Sequence, residues 1–308
     1  MPELPEVETV ARGLQISVAG RRIVSVTLRK TDFMDDPDTI EREVPGTQIA
    51  RVERFGKFML LQLVRDRAAG EPEAKLKTAE ASRQALLVHL GMTGNLAPHF
   101  AEQPLDKHTH ATFVLDDGRE LRYTDARRFG RMAYLAGETL AAELLRFGAD
   151  PLEVTAEEFA KRIAESRARI KALLLDQTVL RGVGNIYSDE SLWSAGIHPA
   201  KSGAKLKRKE SVRLRQALQK ILRKAIQMRG SSISDFVDAE GQPGAYQQHH
   251  RVYGREGKKC FRCGRTIKRI IVAGRSSYFC PACQRAPRRE GRIRKSTKRK
   301  GRARTSKR

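Results

Sequence analysis

Residues 260–283 read CFRCGRTIKRIIVAGRSSYFCPAC: a CxxC pair, sixteen residues, then a second CxxC pair. Two knuckles at that spacing can close a tetrahedral thiolate site. Cys260, Cys263, Cys280 and Cys283 would fill all four positions, so the metal expected is one structural Zn2+ with no open coordination site. The chain has no other cysteine, and its acidic start MPELPEVE lacks the basic, then apolar, character of a secretory signal. Clustered thiols in such a chain argue for metal rather than disulfides. The intervening IKRIIVAGRSSYF reads as a β-hairpin turning at Ala273-Gly274-Arg275. Its task would be to hold Arg275, with Lys268 and Arg269, rigidly toward a phosphate. A hairpin that merely stabilises the C-terminus is the plainer alternative.

On the C-terminal side, residues 284–308 hold thirteen Lys or Arg and one acid, which makes half of the net charge of +24. The body before this tail is therefore basic in its own right, and a polyanionic partner is expected through counterion release. The tail itself reads as a disordered extension over 286–308. No apolar stretch approaches the ~20 residues of a membrane helix, so a cytosolic, nucleoid-associated location without membrane contact is expected.

On the N-terminal side, residues 230–250 are rich in Gly, Ser, Asp and Gln and read as a long loop. Between 155 and 229 the periodicity is helical, enough for about four helices. Thr155 with Glu158 makes a capping box, and Leu214, Leu218, Ile221, Leu222, Ala225 and Ile226 line one face of a long basic helix. From Ile23 to Leu135 the pattern changes to short apolar or alternating runs (IVSVTL, FMLLQLV, ALLVHLGM, ATFVL, ELRYT), with a hairpin signal at Asp117-Gly118. An antiparallel β-sandwich or barrel follows, interrupted by a polar, alanine-rich surface insertion at 65–84. At the start, Val7, Val10, Leu14 and Val18 mark a helix with one buried stripe, and Pro5 sits in its first turn. The fold class expected is α+β.

Glu3 and Glu6 would share a face at that helix N-terminus, close to the free amine. Methionine before proline is normally removed, which would leave Pro2 with a secondary α-amine. Such an amine has a pKa of about 7.7–8.0, so more of it is neutral and nucleophilic at pH 7 than any lysine. Taken alone, a proline at position two is an ordinary processing signal.

The run PELPEVETV at 2–10 resembles the N-terminus of the formamidopyrimidine-DNA glycosylase family, the bacterial repair enzymes for 8-oxoguanine and ring-opened purines. The resemblance continues in order through GKF (56–58), HLGMTG (89–94), DARRFG (125–130), GVGNIYSDE (182–190), DFVDAEGQPGAYQ (235–247), VYGREG (252–257) and the four-cysteine finger. It implies an N-terminal helix and β-sandwich (1–135), a helix-two-turn-helix domain (136–250) with a lesion-recognition loop at 230–247, a zinc finger (251–285) and the basic tail. It makes Pro2 the Schiff-base nucleophile, Glu3 the general acid/base, and Lys57 and Arg275 the residues at the phosphates that assist β- and δ-elimination. Glu6 is expected to orient the site. Met92, Arg127 and Phe129 would fill the hole left by an everted base, and His108, Arg167, Lys171 and Asn185 would anchor phosphates. The implied partner is duplex DNA with oxidised purines or abasic sites, bound by a monomer.

Ala126 departs from the family pattern, standing where a proline usually precedes Arg-Arg-Phe, and a looser turn is expected there. His249 and His250 fall where apolar residues are common and read as surface side chains. Two alternatives stay open. One is a non-catalytic basic zinc-finger protein, which the PELPEVE start opposes. The other is the endonuclease VIII branch, whose substrates are oxidised pyrimidines and whose chains typically start PEGPE; Leu4 with Met92, Arg127 and Phe129 argues against it.

Overall fold

A computed structural model describes residues 1–65, 83–233 and 236–287. The expected insertion at 65–84 and the basic tail therefore fall, but for their ends, outside the described residues, as do Ser234 and Asp235 of the long loop.

The chain opens with α1 (Leu4–Val18), with Pro5 in its first turn as expected. Next come β1 (Ile23–Leu28), β2 (Met34–Asp35), α2 (Pro37–Glu43), β3 (Thr47–Phe55), β4 (Phe58–Arg65), β5 (Gln84–His89), β6 (Gly94–Phe100), β7 (Thr109–Leu115), β8 (Arg119–Asp125) and β9 (Arg131–Ala136). They form two sheets, ordered β2-β9-β5-β4-β3 and β1-β7-β8-β6. All pairings are antiparallel except the short β2, which runs parallel to β9. The apolar stripe of α1 (Val7, Val10, Leu14, Val18) enters the core shared by the sheets, against Ile49, Met59, Leu96, Phe113 and Tyr123. The Asp117-Gly118 signal holds: β7 and β8 pair around it, and Gly118 takes φ +82. α2 interrupts what the alternating pattern presented as continuous β structure. Its signal was local: Asp36 caps the helix by accepting from the Thr39 amide, with Pro37 in the first turn.

After α3 (Gly137–Leu145) come α4 (Ala156–Ala164), α5 (Ile170–Leu175), α6 (Asn185–Ala195) and α7 (Arg208–Gln227), the four helices expected between 155 and 229. Thr155 caps α4 through the Glu158 amide at 3.1 Å. These helices close a second core around Phe159, Leu174, Tyr187, Leu214, Leu218 and Leu222, and Leu4 of α1 joins it. The first helix is thus shared by both halves, which brings the chain start to their junction. The hairpin β10 (Lys268–Val272) and β11 (Arg275–Phe279) completes the described chain. Its two-residue turn places Ala273 and Gly274 at φ +49 and +69, the left-handed pair that matches strand twist, so Arg275 begins β11 rather than sitting within the turn.

Candidate active site

The floor of the site is built by the first six residues. The Leu4 amide donates to the Gly182 carbonyl at 3.0 Å, pinning the start of α1 to the loop that leads into α6. The Glu3 carboxylate then reaches that helix and accepts from the amides of Ile186 (2.9 Å) and Tyr187 (3.4 Å). A helix N-terminus favours a negative charge there. Close approach requires a glycine at 184, because a Cβ would lie 2.3 Å from Glu3 Cδ. Glu6 is also buried, and accepts from the Glu3 amide (2.8 Å), the Ser231 amide (2.7 Å) and the Tyr187 hydroxyl (2.5 Å). Burial, and then the neighbouring Glu3, push the Glu6 carboxyl up to about 7. Pro2 is buried beside them and lines a cleft with Glu6, Met92, Ile186, Ser231 and Phe236.

Lys57 follows Gly56 in the turn between β3 and β4 and is half-buried. Burial holds its ammonium below the ordinary lysine value; the charge of Arg275 acts in the same direction, and Glu3 and Glu6 oppose it. Glu3, Glu6 and Arg275 therefore all lie near enough to act on Lys57, with the exposed Arg275 arriving from the tip of the C-terminal hairpin. His89 lies at the same edge, where burial and then Lys57 bring its imidazole down to about 4. The neutral ring accepts the Gly91 amide at Nδ1 (3.0 Å) and so shapes the turn that carries Met92.

That turn abuts the β8–β9 loop closely, since a Cβ on Gly91 would meet the Phe129 carbonyl carbon at 2.4 Å. Met92 (39% exposed) and Phe129 (56%) thus project from adjoining loops, and the Arg127 guanidinium lies 4.5 Å from the Phe129 ring centroid. Two exposed apolar side chains and a stacked cation beside a cleft have the chemistry of a wedge between bases. The turn at Ala126 is firmly held. The buried Asp125 carboxylate accepts from the amides of Arg127 (3.2 Å) and Gly130 (2.9 Å) and from the Thr93 hydroxyl (2.5 Å), supplying the order that a proline would have given.

In the finger, the sulfurs of Cys260, Cys263, Cys280 and Cys283 lie within 4.8 Å of one another, with Cys263 to Cys280 at 3.4 Å and Cys260 to Cys283 at 4.0 Å. Tetrahedral Zn–S bonds of about 2.3 Å require S···S separations near 3.8 Å, so the four thiolates fit one structural zinc. The Tyr278 amide of β11 donates to Asp189 Oδ2 of α6 (3.0 Å), and the Glu190 carboxylate collects the amides of Arg251, Val252 and Tyr253 at 2.8–2.9 Å. Two adjacent buried acids on α6 therefore dock the finger and so set where Arg275 points.

Three family models match the chain: the formamidopyrimidine-DNA glycosylase N-terminal domain over residues 1–132, its H2TH domain over 147–237, and a zinc finger found in FPG and IleRS over 257–286. The chain belongs to the formamidopyrimidine-DNA glycosylase family. The Herpetosiphon aurantiacus formamidopyrimidine-DNA glycosylase is 40% identical over 289 residues, covering 92% of this chain and all of its own length. A Lactococcus lactis family member, solved as a point variant with DNA containing Fapy-dG, superposes with a TM-score of 0.82 at 32% identity, covering 92% of this chain and 100% of its own. The wild-type Lactococcus lactis protein in complex with DNA containing an oxidised pyrimidine gives 0.80 at 32% identity, with the same coverage.

Within this family framework, the structure gathers Pro2, Glu3, Glu6, Lys57, Met92 and Arg275 at one edge, with Arg127 and Phe129 beside them. One expectation about the phosphate anchors needs correction, and one is narrowed. Lys171 is fully buried, its ammonium donating to Asp189 Oδ1 (2.6 Å) and the Asn185 carbonyl (3.2 Å), so it braces α6, and its third N–H is buried away from any DNA surface. The amides after Asn185 are already taken by Glu3, which leaves only the half-buried Asn185 side chain at that helix end. His108 is half-buried, and its carbonyl accepts the Asp125 amide (3.0 Å); Arg167 is exposed just before α5. Sequence reasoning missed Tyr187 and Ser231, which bond Glu6, and Asp125 and His89, which hold the turns that carry Arg127 and Met92. Tyr187, Asp125 and His89 lie inside motifs already quoted, and His89, a polar residue within the apolar run ALLVHLGM, is the one of them with a signal of its own. His250 was expected at the surface, yet it is buried and bonded to Ser231 Oγ at 3.1 Å.

Proposed function

We propose that this chain is a bifunctional DNA glycosylase and abasic-site lyase that everts an oxidised purine, 8-oxoguanine or a formamidopyrimidine, from duplex DNA. After loss of Met1, the lone pair of the Pro2 nitrogen forms a bond to the sugar C1′ while the C1′–base bond breaks and the base leaves with a proton. The base's proton comes from solvent; Glu3 takes the Pro2 N–H proton and delivers it to the ring oxygen as the sugar opens, giving an iminium. Loss of a C2′ proton then expels the 3′ phosphate, and a second elimination expels the 5′ phosphate. Lys57 and Arg275 stabilise those leaving charges. Met92, Arg127 and Phe129 occupy the vacated step, and His108, Arg167 and Asn185 contact the backbone. The units are proposed as 1–135, 136–250, 251–285 and the tail, in a cytoplasmic monomer. Zinc, held by the four cysteines, supplies structure alone.

One observation carries this reading: a buried Pro2 shares its cleft with Glu6, beside a Glu3 fixed on two amides. A binding protein has no need of that arrangement. Borohydride trapping on an 8-oxoguanine duplex tests it. Wild type is expected to give a covalent adduct, and Pro2→Gly to bind the duplex yet lose most of the trapping. Wild-type trapping levels in the variant, or no adduct from either protein, refute the nucleophile. The Lactococcus lactis complex with an oxidised pyrimidine favours a second substrate reading. Excision of 8-oxoguanine is expected to exceed that of thymine glycol, and the reverse order selects the second reading.

A further inference from the structure

Behind the cleft runs a chain of side chains that the proposed chemistry does not use. His250 Nε2 lies 3.1 Å from Ser231 Oγ, which lies 3.4 Å from the Tyr187 hydroxyl, and that hydroxyl donates to Glu6 Oε1 at 2.5 Å. The other Glu6 oxygen accepts the Glu3 amide, the peptide group next to Pro2. His250 is buried edge-on against Tyr246 and Tyr253, with ring centroids 5.8 and 5.6 Å away.

With Glu6 ionised, one ordering of the hydrogens satisfies every contact in this chain. Burial and the adjacent Glu6 raise the Tyr187 phenol far above its ordinary value, so it keeps its proton and donates to the carboxylate, the strongest acceptor in reach. Its oxygen is then left to accept from Ser231. The Ser231 hydroxyl has one hydrogen, so its own oxygen faces His250 as an acceptor. In that ordering the imidazole carries its proton on Nε2 and donates to Ser231 Oγ. Burial, then His249, bring His250 down to about 4, so it remains a neutral donor across the neutral range.

We infer that His250 is a positioning residue which, through Ser231 and Tyr187, holds the Glu6 carboxylate ionised and oriented beneath the chain's amino end. Three donors converge on Glu6, and each is worth most when the carboxylate is charged. Glu3 and burial oppose that charge, while the nearby Lys57 favours it. The relay thus keeps Glu6 from gaining a proton as pH falls toward its raised value, and keeps the peptide next to Pro2 in place. This function of the relay rests on the Pro2 reading, but the state of Glu6 can be measured without it.

The test is a pH titration of the full-length protein, following the Glu6 carboxyl by 13C NMR, with borohydride trapping measured over the same range. His250→Leu removes the donor, and is expected to raise the Glu6 midpoint and move the acidic limb of trapping upward by about 0.5–1 unit, the size of one hydrogen bond. Trapping near pH 6 should fall about 3–10-fold. His250→Gln restores an N–H donor and should return both curves toward wild type. Ser231→Ala breaks the same relay with little change in volume, and covers the case of a leucine variant that does not fold. An unchanged Glu6 midpoint in folded His250→Leu or Ser231→Ala, or a glutamine variant shifted as far as leucine, overturns the inference. Absence of trapping in wild type refutes the Pro2 chemistry instead, and leaves the NMR result to decide the relay.

Discussion

Lys57 and Lys171 occupy two junctions of the same molecule and share one physical history: burial drives both ammonium groups below the ordinary lysine value. What surrounds them differs. At the α5–α6–finger junction, Lys171 meets Asp189 at 2.6 Å, and the other oxygen of that acid receives the Tyr278 amide from the finger. At the cleft edge, Lys57 makes neither a hydrogen bond nor an ion pair among the described residues, while Glu3, Glu6 and Arg275 act on it through space. A cation committed to a buried carboxylate is structural, whatever motif it belongs to. A cation held near charges but left without a partner retains its donors for a phosphate.

The largest effect expected from this contrast is on stability. Lys171→Met leaves Asp189 buried and unpaired; burial already pushes its carboxyl up to about 7, loss of the ammonium pushes it higher still, and the variant should cost about 3–5 kcal/mol in urea unfolding. Replacing Asp189 by Leu as well should restore much of that loss, because removing both charges removes the desolvation problem. A single variant within about 1 kcal/mol of wild type would break the comparison from the Lys171 side. Lys57→Met should do the converse: stability within about 1 kcal/mol of wild type, with nicking of an abasic duplex about 100-fold slower. Unfolding comparable to that of Lys171→Met, or undiminished nicking, would break it from the Lys57 side.

These two lysines also mark how far the sequence could be read. The four cysteines, the Asp117-Gly118 hairpin and the stripe on α1 depend on spacing of a few residues, and each lies where the pattern put it. α2 escaped because one capping aspartate and one proline are a weaker signal than the alternating runs on either side of it. The chemistry-bearing residues came from a resemblance between ordered motifs. A resemblance transfers position and leaves contacts open, so Lys57 and Lys171 looked alike. Their difference lies in which carboxylate stands across from each, eighteen residues away for Lys171, and no periodicity reports that. His250 escaped for the same reason, since its partner Ser231 lies on the far side of a loop.

A third cation sharpens the comparison with the smallest effect. Arg167 is exposed just before α5, and its side chain has no hydrogen bond or ion pair among the described residues. If it contacts a phosphate, Arg167→Ala should reduce the steepness of log K against log salt by about 0.9, the release of one counterion, and weaken binding to lesion and intact duplex alike. Fluorescence anisotropy on both duplexes between 50 and 200 mM salt reads both quantities. Lys57, by contrast, is proposed to reach a phosphate only next to an everted sugar, so Lys57→Met should leave the slope on intact duplex unchanged. Equal slopes for wild type and Arg167→Ala would remove Arg167 from the interface. A reduced slope on intact DNA for Lys57→Met would mean that the two cations differ in exposure and not in role.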